Sequence, residues 1–137
     1  MSVEANVDEK GVPRGYPFRP EYEIAPRDAA ERIKSGECIV LDCRTEAEWD
    51  VARIDGAVLI PLHELDLRFD ELEADEQTEV LTLCHHGRRS LTAAMLLQNK
   101  GLARARSIVG GLELWSQHID PAIPRYVKDG GDVKVVS

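Results

Sequence analysis

Val80-Leu81-Thr82-Leu83-Cys84-His85-His86-Gly87-Arg88-Arg89-Ser90 runs from an apolar stretch through a polar loop into a helical pattern, and this passage decides the fold. Val80 to Leu83 is short and mostly apolar, as in a strand covered on both faces. Beyond the loop, Leu91, Ala94, Met95 and Gln98 follow the helical period, and Gly101 stands just past the end. The unit is strand, loop, helix. The same alternation continues in both directions. Upstream, Cys38 to Leu41 is an apolar run ending in Asp42-Cys43-Arg44, and Thr45-Glu46-Ala47-Glu48 fits a capping box that opens a helix. Ala57 to Ile60 is a further strand stopped by Pro61, and Leu65, Phe69 and Leu72 lie at helical spacing on an acidic helix. Earlier still, Glu21 to Ile24 is a short strand, followed by Pro26 in a first helical turn and Gly36 as the stop. Downstream, Ser107 to Val109 is a fifth strand, and Gly110-Gly111 turns into a last helix ending near Trp115.

Strands that alternate with helical crossovers require a parallel sheet. The expected fold class is therefore α/β, a five-stranded mainly parallel sheet with helices on both faces. One domain is expected over residues 21–119, between an extended N-terminal arm at 1–20 and a C-terminal tail at 120–137. The arm holds Pro13, Pro17 and Pro20 without an apolar period, and its aromatics Tyr16 and Phe18 are expected to pin it to the domain. After Trp115 the segment with Pro121 and Pro124, then Asp129-Gly130-Gly131, reads as the C-terminal tail.

Composition narrows the partners. The chain has 137 residues, 43% of them hydrophobic, enough for one core without a disulfide or metal staple. Its net charge of -8 is the wrong sign for phosphate backbones or anionic membranes, so neither nucleic acid nor a membrane is expected as a partner. Met1 to Lys10 is polar and acidic where a signal peptide would be basic and then apolar, and a cytoplasmic location is expected. Three cysteines, Cys38, Cys43 and Cys84, cannot all pair within one chain, so they are not a disulfide framework.

Ligands of open α/β sheets bind beyond the carboxyl ends of the strands, and Cys84 sits at such an end. Backbone N–H groups of a tight loop, with the positive end of the following helix, converge on the loop's centre and stabilise a thiolate there. Cys84 is thus the expected catalytic nucleophile, and His85, His86, Gly87, Arg88, Arg89 and Ser90 form the expected substrate-binding loop. Gly87 supplies the positive φ of a closed loop. The charge pattern agrees: from Val80 to Leu112 there is no Asp or Glu, but there are Arg88, Arg89, Lys100, Arg104 and Arg106. Net acidity therefore masks a positive stretch suited to a small anion.

Plainer roles compete at several positions. Cys38 and Cys43 are assigned to the core, and whether Cys43 serves as a resolving thiol turns on its approach to Cys84. Asp42 and Arg44, at the same sheet edge as the loop, either pair with each other or the backbone or take a direct part in holding the substrate. Cys84, His85 and His86 do not make a metal site, because neighbours in one loop rarely converge on one ion and His63 and His118 stand alone. No metal or cofactor is expected. Gly110-Gly111 is expected to be a tight turn, and the acid-rich stretch from Glu64 to Glu79 a solvated helix face or a docking surface for a basic partner.

Over roughly Tyr22 to Trp115 the chain resembles the rhodanese family of single-domain sulfurtransferases. Three blocks carry the resemblance: Val40 to Arg44 continuing through Glu48-Trp49, Ile54 to Ala57 and Ile60-Pro61; the loop Cys84 to Arg89; and Ser107 to Gly111 with Leu114-Trp115. The chain departs from the family at Ala52-Arg53, where Gly-His is usual, and at His85, where Arg often follows the Cys. The resemblance implies that Cys84 attacks the outer sulfur of thiosulfate or a similar small anionic donor and carries it as a persulfide. A thiol or cyanide acceptor would then take it, with a protein donor or acceptor as a further possibility. Arg88 and Arg89 would orient the donor, or Arg89 would brace the loop. His85, only partly cationic near pH 7, leaves the donor's charge requirement open. The alternatives are a persulfide carrier or partner-docking module without turnover of its own, and a Cys-dependent phosphatase or arsenate reductase. The phosphatases that resemble this fold use Cys-x5-Arg, whereas Cys84 to Arg89 is Cys-x4-Arg, a smaller ring suited to one sulfur atom.

Overall fold

The computed structural model describes residues 6–136. Five strands, β1 (Glu23–Ile24), β2 (Cys38–Asp42), β3 (Val58–Leu59), β4 (Glu79–Leu83) and β5 (Ala105–Ile108), form one sheet in the order β1-β5-β4-β2-β3, with every pairing parallel. Each crossover carries a helix: α1 (Pro26–Ser35), α2 (Glu46–Val51), α3 (Leu62–Arg68) with a 3-10 turn at Phe69–Leu72, and α4 (Arg88–Asn99), with α5 (Gly111–His118) following β5. The α/β expectation is met.

Central β4 is buried along its whole length. Its side chains alternate between two cores, as the two-residue period of a strand requires. Leu81 and Leu83 join Ala29, Ile108, Leu112 and Trp115 on the side of α1 and α5. Val80 and Cys84 join Leu41, Leu65, Ala93 and Leu97 on the side of α3 and α4. Local signals set the helix ends. Pro26 starts α1, Gly36 closes it at φ 75°, and Thr45 and Glu48 exchange the two hydrogen bonds of a capping box.

The flanking segments differ from the sequence expectation. In the arm, Val7 bridges Pro13 in antiparallel fashion, and Val12 and Tyr16 pack on Ala25 and Val109. Tyr16 also donates its hydroxyl hydrogen to buried Glu23, whereas Phe18 stays exposed. Residues 1–5 of the arm and 137 of the tail lie outside the described residues. The segment expected as a tail contains an antiparallel hairpin, β6 (Tyr126–Asp129) and β7 (Asp132–Val135). Gly130 and Gly131, at φ 57° and 96°, make the two-residue turn in which both central positions need positive φ. Tyr126 is buried in the core and anchors the hairpin to the domain.

Candidate active site

Cys84 is the first residue beyond β4 and is almost fully buried. The Gly87 N–H donates to its Sγ at 3.0 Å and the Ser90 N–H at 3.3 Å. The Ser90 hydroxyl lies 3.3 Å from the same sulfur and 2.7 Å from the Ser107 hydroxyl. Because α4 begins at Arg88, the Ser90 amide is one of the first-turn donors that a helix leaves without an internal partner. The positive end of the α4 dipole adds to these donors. These donors all point at the one sulfur. Arg88 and Arg89, expected in the loop, lie instead in the first turn of α4.

Two glycines let this loop close. Gly87 sits at φ 96°, and a Cβ there would stand 3.0 Å from the Gly110 amide nitrogen. At Gly111, φ 61°, a Cβ would fall 2.4 Å from the Cys84 carbonyl oxygen. The loop backbone rests on the start of α5, where the Leu112 and Glu113 N–H groups donate to the Cys84 and His85 carbonyls at 2.8 and 3.0 Å. Gly110-Gly111 is thus a tight turn and also the seat of the loop.

Arg89 braces the loop. Its two terminal nitrogens donate to the two carboxylate oxygens of Glu48 at 2.7 and 2.8 Å. The Tyr126 hydroxyl donates to Glu48 at 2.6 Å and accepts from Arg44 at 3.0 Å. Burial alone would raise the Glu48 pKa, but the donors from Arg89 and Tyr126 outweigh it and hold the carboxyl well below the usual range. Arg44 and Asp42 are fully buried and paired, at 2.9 Å and 2.7 Å for the two closest contacts. Of the roles left open for this pair, the geometry fits mutual pairing and not substrate contact.

His85 departs from expectation. Its ring is 6% exposed and stacks on Tyr126 at 3.9 Å and 13°. Burial, and then the neighbouring His86, push its pKa down to about 4. At neutral pH it is an uncharged wall, not a partial cation. Cys43 is buried with Cys84 in one apolar cluster and points its thiol at the Leu83 carbonyl, 3.4 Å away. Burial, with Cys84 nearby, pushes that thiol far above its ordinary range, which disfavours a resolving thiolate.

Most of the basic stretch is spent elsewhere. Lys100 pairs with Asp66 at 2.8 Å, while Arg104 and Arg106 lie 3.8 and 2.9 Å from Glu79. Among the described residues Arg88 is exposed and has no carboxylate within 4 Å. A cleft of about 510 Å³ opens over the loop, lined by Cys84, His85, Arg88, Glu113, Tyr126 and Lys128 among others. A larger groove of about 600 Å³ beside Trp49, Trp115 and Ile119 is lined by neither cysteine nor histidine.

Sequence reasoning did not connect Glu48, Tyr126 or Lys128 with the site. Tyr126 and Lys128 were legible in part: Gly130-Gly131 stands between Tyr126-Val127-Lys128 and Val133-Lys134-Val135, a two-residue hairpin signal.

Fold and site define an α/β domain that holds one cysteine sulfur in an amide-lined loop at the carboxyl edge of a parallel sheet. Within that class the chain belongs to the rhodanese-like domain family, whose model matches residues 25–118. It is 37% identical over 93 residues to an adenylyltransferase and sulfurtransferase, MOCS3-2, of Zea mays, covering 64% of this chain and 19% of that protein. It is 35% identical over 95 residues to the putative sulfur carrier protein YrkF of Bacillus subtilis, covering 69% of this chain and 50% of that one. The chain thus spans between about a fifth and a half of these curated relatives. The human single-domain sulfurtransferase TSTD1 shares the fold, with a TM-score of 0.63 at 24% identity over 74% of this chain and 98% of that one. No helix among the described residues is long and apolar enough to cross a membrane.

Proposed function

We propose that the chain transfers sulfane sulfur through a persulfide on Cys84. The observation that carries this reading is the convergence of the Gly87 and Ser90 amides and the α4 terminus on one buried sulfur. With thiosulfate as donor, the Cys84 thiolate attacks the outer sulfur. A bond forms between Sγ and that sulfur, the sulfur–sulfur bond of thiosulfate breaks, and its electron pair leaves with sulfite. The persulfide keeps one negative charge, which the loop donors stabilise. An acceptor thiolate or cyanide then attacks the outer sulfur and returns the Cys84 thiolate. Arg88 attracts the anionic donor, while Arg89, committed to Glu48, keeps the loop in shape. Ser90 positions the sulfur. Three free thiols suit a reducing, cytoplasmic setting.

Likeness to a protein named as a sulfur carrier favours a second reading, in which a protein donor loads Cys84 and a protein acceptor unloads it. Both rest on the same persulfide. The test is Cys84→Ser assayed with thiosulfate and cyanide, alongside mass spectrometry of Cys84 after donor treatment. Loss of thiocyanate formation together with a mass gain of one sulfur on the parent supports transfer. Turnover retained in the variant would overturn it, as would Cys84-dependent hydrolysis of an aryl phosphate with no sulfur transfer.

A further inference from the structure

The cleft over Cys84 is lined from two separate stretches of the chain. The loop and α4 lie within the segment matched by the family model, which ends at residue 118. The rest of the lining is the hairpin strand β6, which brings Tyr126, Val127 and Lys128 to the cleft from outside that segment. The hairpin is not loosely appended. Tyr126 is 2% exposed, stacks on His85, and bridges Arg44 and Glu48 through its hydroxyl.

The charges that face the cleft can be sorted by what already holds them. Arg89 is taken by Glu48, and Glu113 is taken by Arg125 at 2.8 Å. His85 is neutral at pH 7. Lys128 lies 3.8 Å from Glu48, too far for a hydrogen bond, and its side chain is 47% exposed. Glu48 does not need it, because Arg89 and Tyr126 already occupy both carboxylate oxygens at shorter distances. A lysine ammonium is a point charge on a flexible stem, free to turn toward an anion that enters.

We propose that the β6 hairpin is a specificity element of the active site, with Lys128 as the residue that selects negatively charged sulfur donors. Tyr126 is its positioning residue. This rests on the sulfur-transfer reading above and adds to Arg88 a second cation for the donor's charge, one that the hairpin supplies.

Two donors separate selection from structure, thiosulfate as the anionic probe and an uncharged dialkyl trisulfide as the neutral one. Attack on thiosulfate leaves a persulfide on Cys84 and releases sulfite, whereas attack on the central sulfur of the trisulfide leaves an alkyl trisulfide on Cys84 and releases an alkanethiolate, and each is followed by kinetics and by the mass added to Cys84. In Lys128→Ala, KM for thiosulfate should rise about tenfold with kcat little changed, and the decline of kcat/KM with added salt should flatten. Lys128→Glu should raise it further and Lys128→Arg should restore it. The exposed hairpin lysine Lys134, paired with Asp129, is the control, and Lys134→Ala should match the parent. An equal loss with both donors would mean that the hairpin only supports the fold and would overturn the inference, as would an unchanged thiosulfate KM. If the parent loads no sulfur from either donor, the sulfur-transfer reading itself fails.

Discussion

Arg89 grips Glu48 through two parallel hydrogen bonds, 2.7 and 2.8 Å, and so ties the first turn of α4 to α2 across 41 residues of chain. Glu48 is completely buried and Arg89 about a quarter exposed. Removing one partner of such a pair strands the other charge away from water. Glu48→Gln keeps the shape and the capping hydrogen bonds but removes the charge. It should cost about 3 kcal/mol, the lower end for a broken buried pair because Arg89 keeps some water. Urea unfolding at pH 7 measures this, and a midpoint equal to the parent's would show the pair to be dispensable.

Tyr126→Phe isolates the hydroxyl that joins Arg44 to Glu48 while keeping the ring on His85. Leaving those buried charged groups one partner short should cost about 1–3 kcal/mol. Protease cleavage should then accelerate within residues 120–136 ahead of the rest of the domain, because the hairpin loses its polar anchor. Uniform cleavage would argue that apolar packing alone holds it.

Acid should weaken the fold in two stages. His85, with its pKa pushed down to about 4, binds fewer protons folded than unfolded. Its contribution is complete above the unfolded value of about 6.5 and declines as pH falls toward 4. Glu48, held below the usual carboxyl range, adds a further decline under about pH 4.5. His85→Gln should therefore flatten stability between pH 7 and 5, where the parent loses about 2 kcal/mol. Parallel pH profiles for the two proteins would refute a neutral, burial-shifted His85.

Gly111→Ala tests the seat of the active loop. Positive φ alone costs an L-residue roughly 1–2 kcal/mol. Here the new Cβ also meets the Cys84 carbonyl at 2.4 Å, and backbone cannot swing aside as a side chain can. Gly56→Ala, at φ 85° in open space, measures the first cost without the second. The Gly111 variant should lose more stability than the Gly56 variant and should load sulfur on Cys84 more slowly. Equal losses would mean that the contact relaxes freely.

The α/β alternation was legible because its cues are local. Apolar runs at Cys38 to Leu41 and Val80 to Leu83, the capping box at Thr45 and Glu48, and the stop at Gly36 each act within a few residues. Cys84 and Gly87 were legible for the same reason, as a strand-end cysteine and the turn residue that follows it. Glu48 was visible only as a cap. That its carboxylate also receives Arg89 and Tyr126 depends on α2, α4 and β6 meeting, which no spacing along the chain encodes.

By itself the sequence determined the alternation of the five parallel strands with their helices, the loop that bears Cys84 and the glycines that allow it, because those follow from side-chain period and backbone sterics. Tertiary structure alone decided which charges are free. It buried and neutralised His85, spent Arg89, Arg104 and Arg106 on carboxylates from distant segments, and brought Lys128 to the cleft. Charge along a chain can be counted, but its effect at a sulfur depends on burial and on the nearest counter-charge, and both are properties of packing.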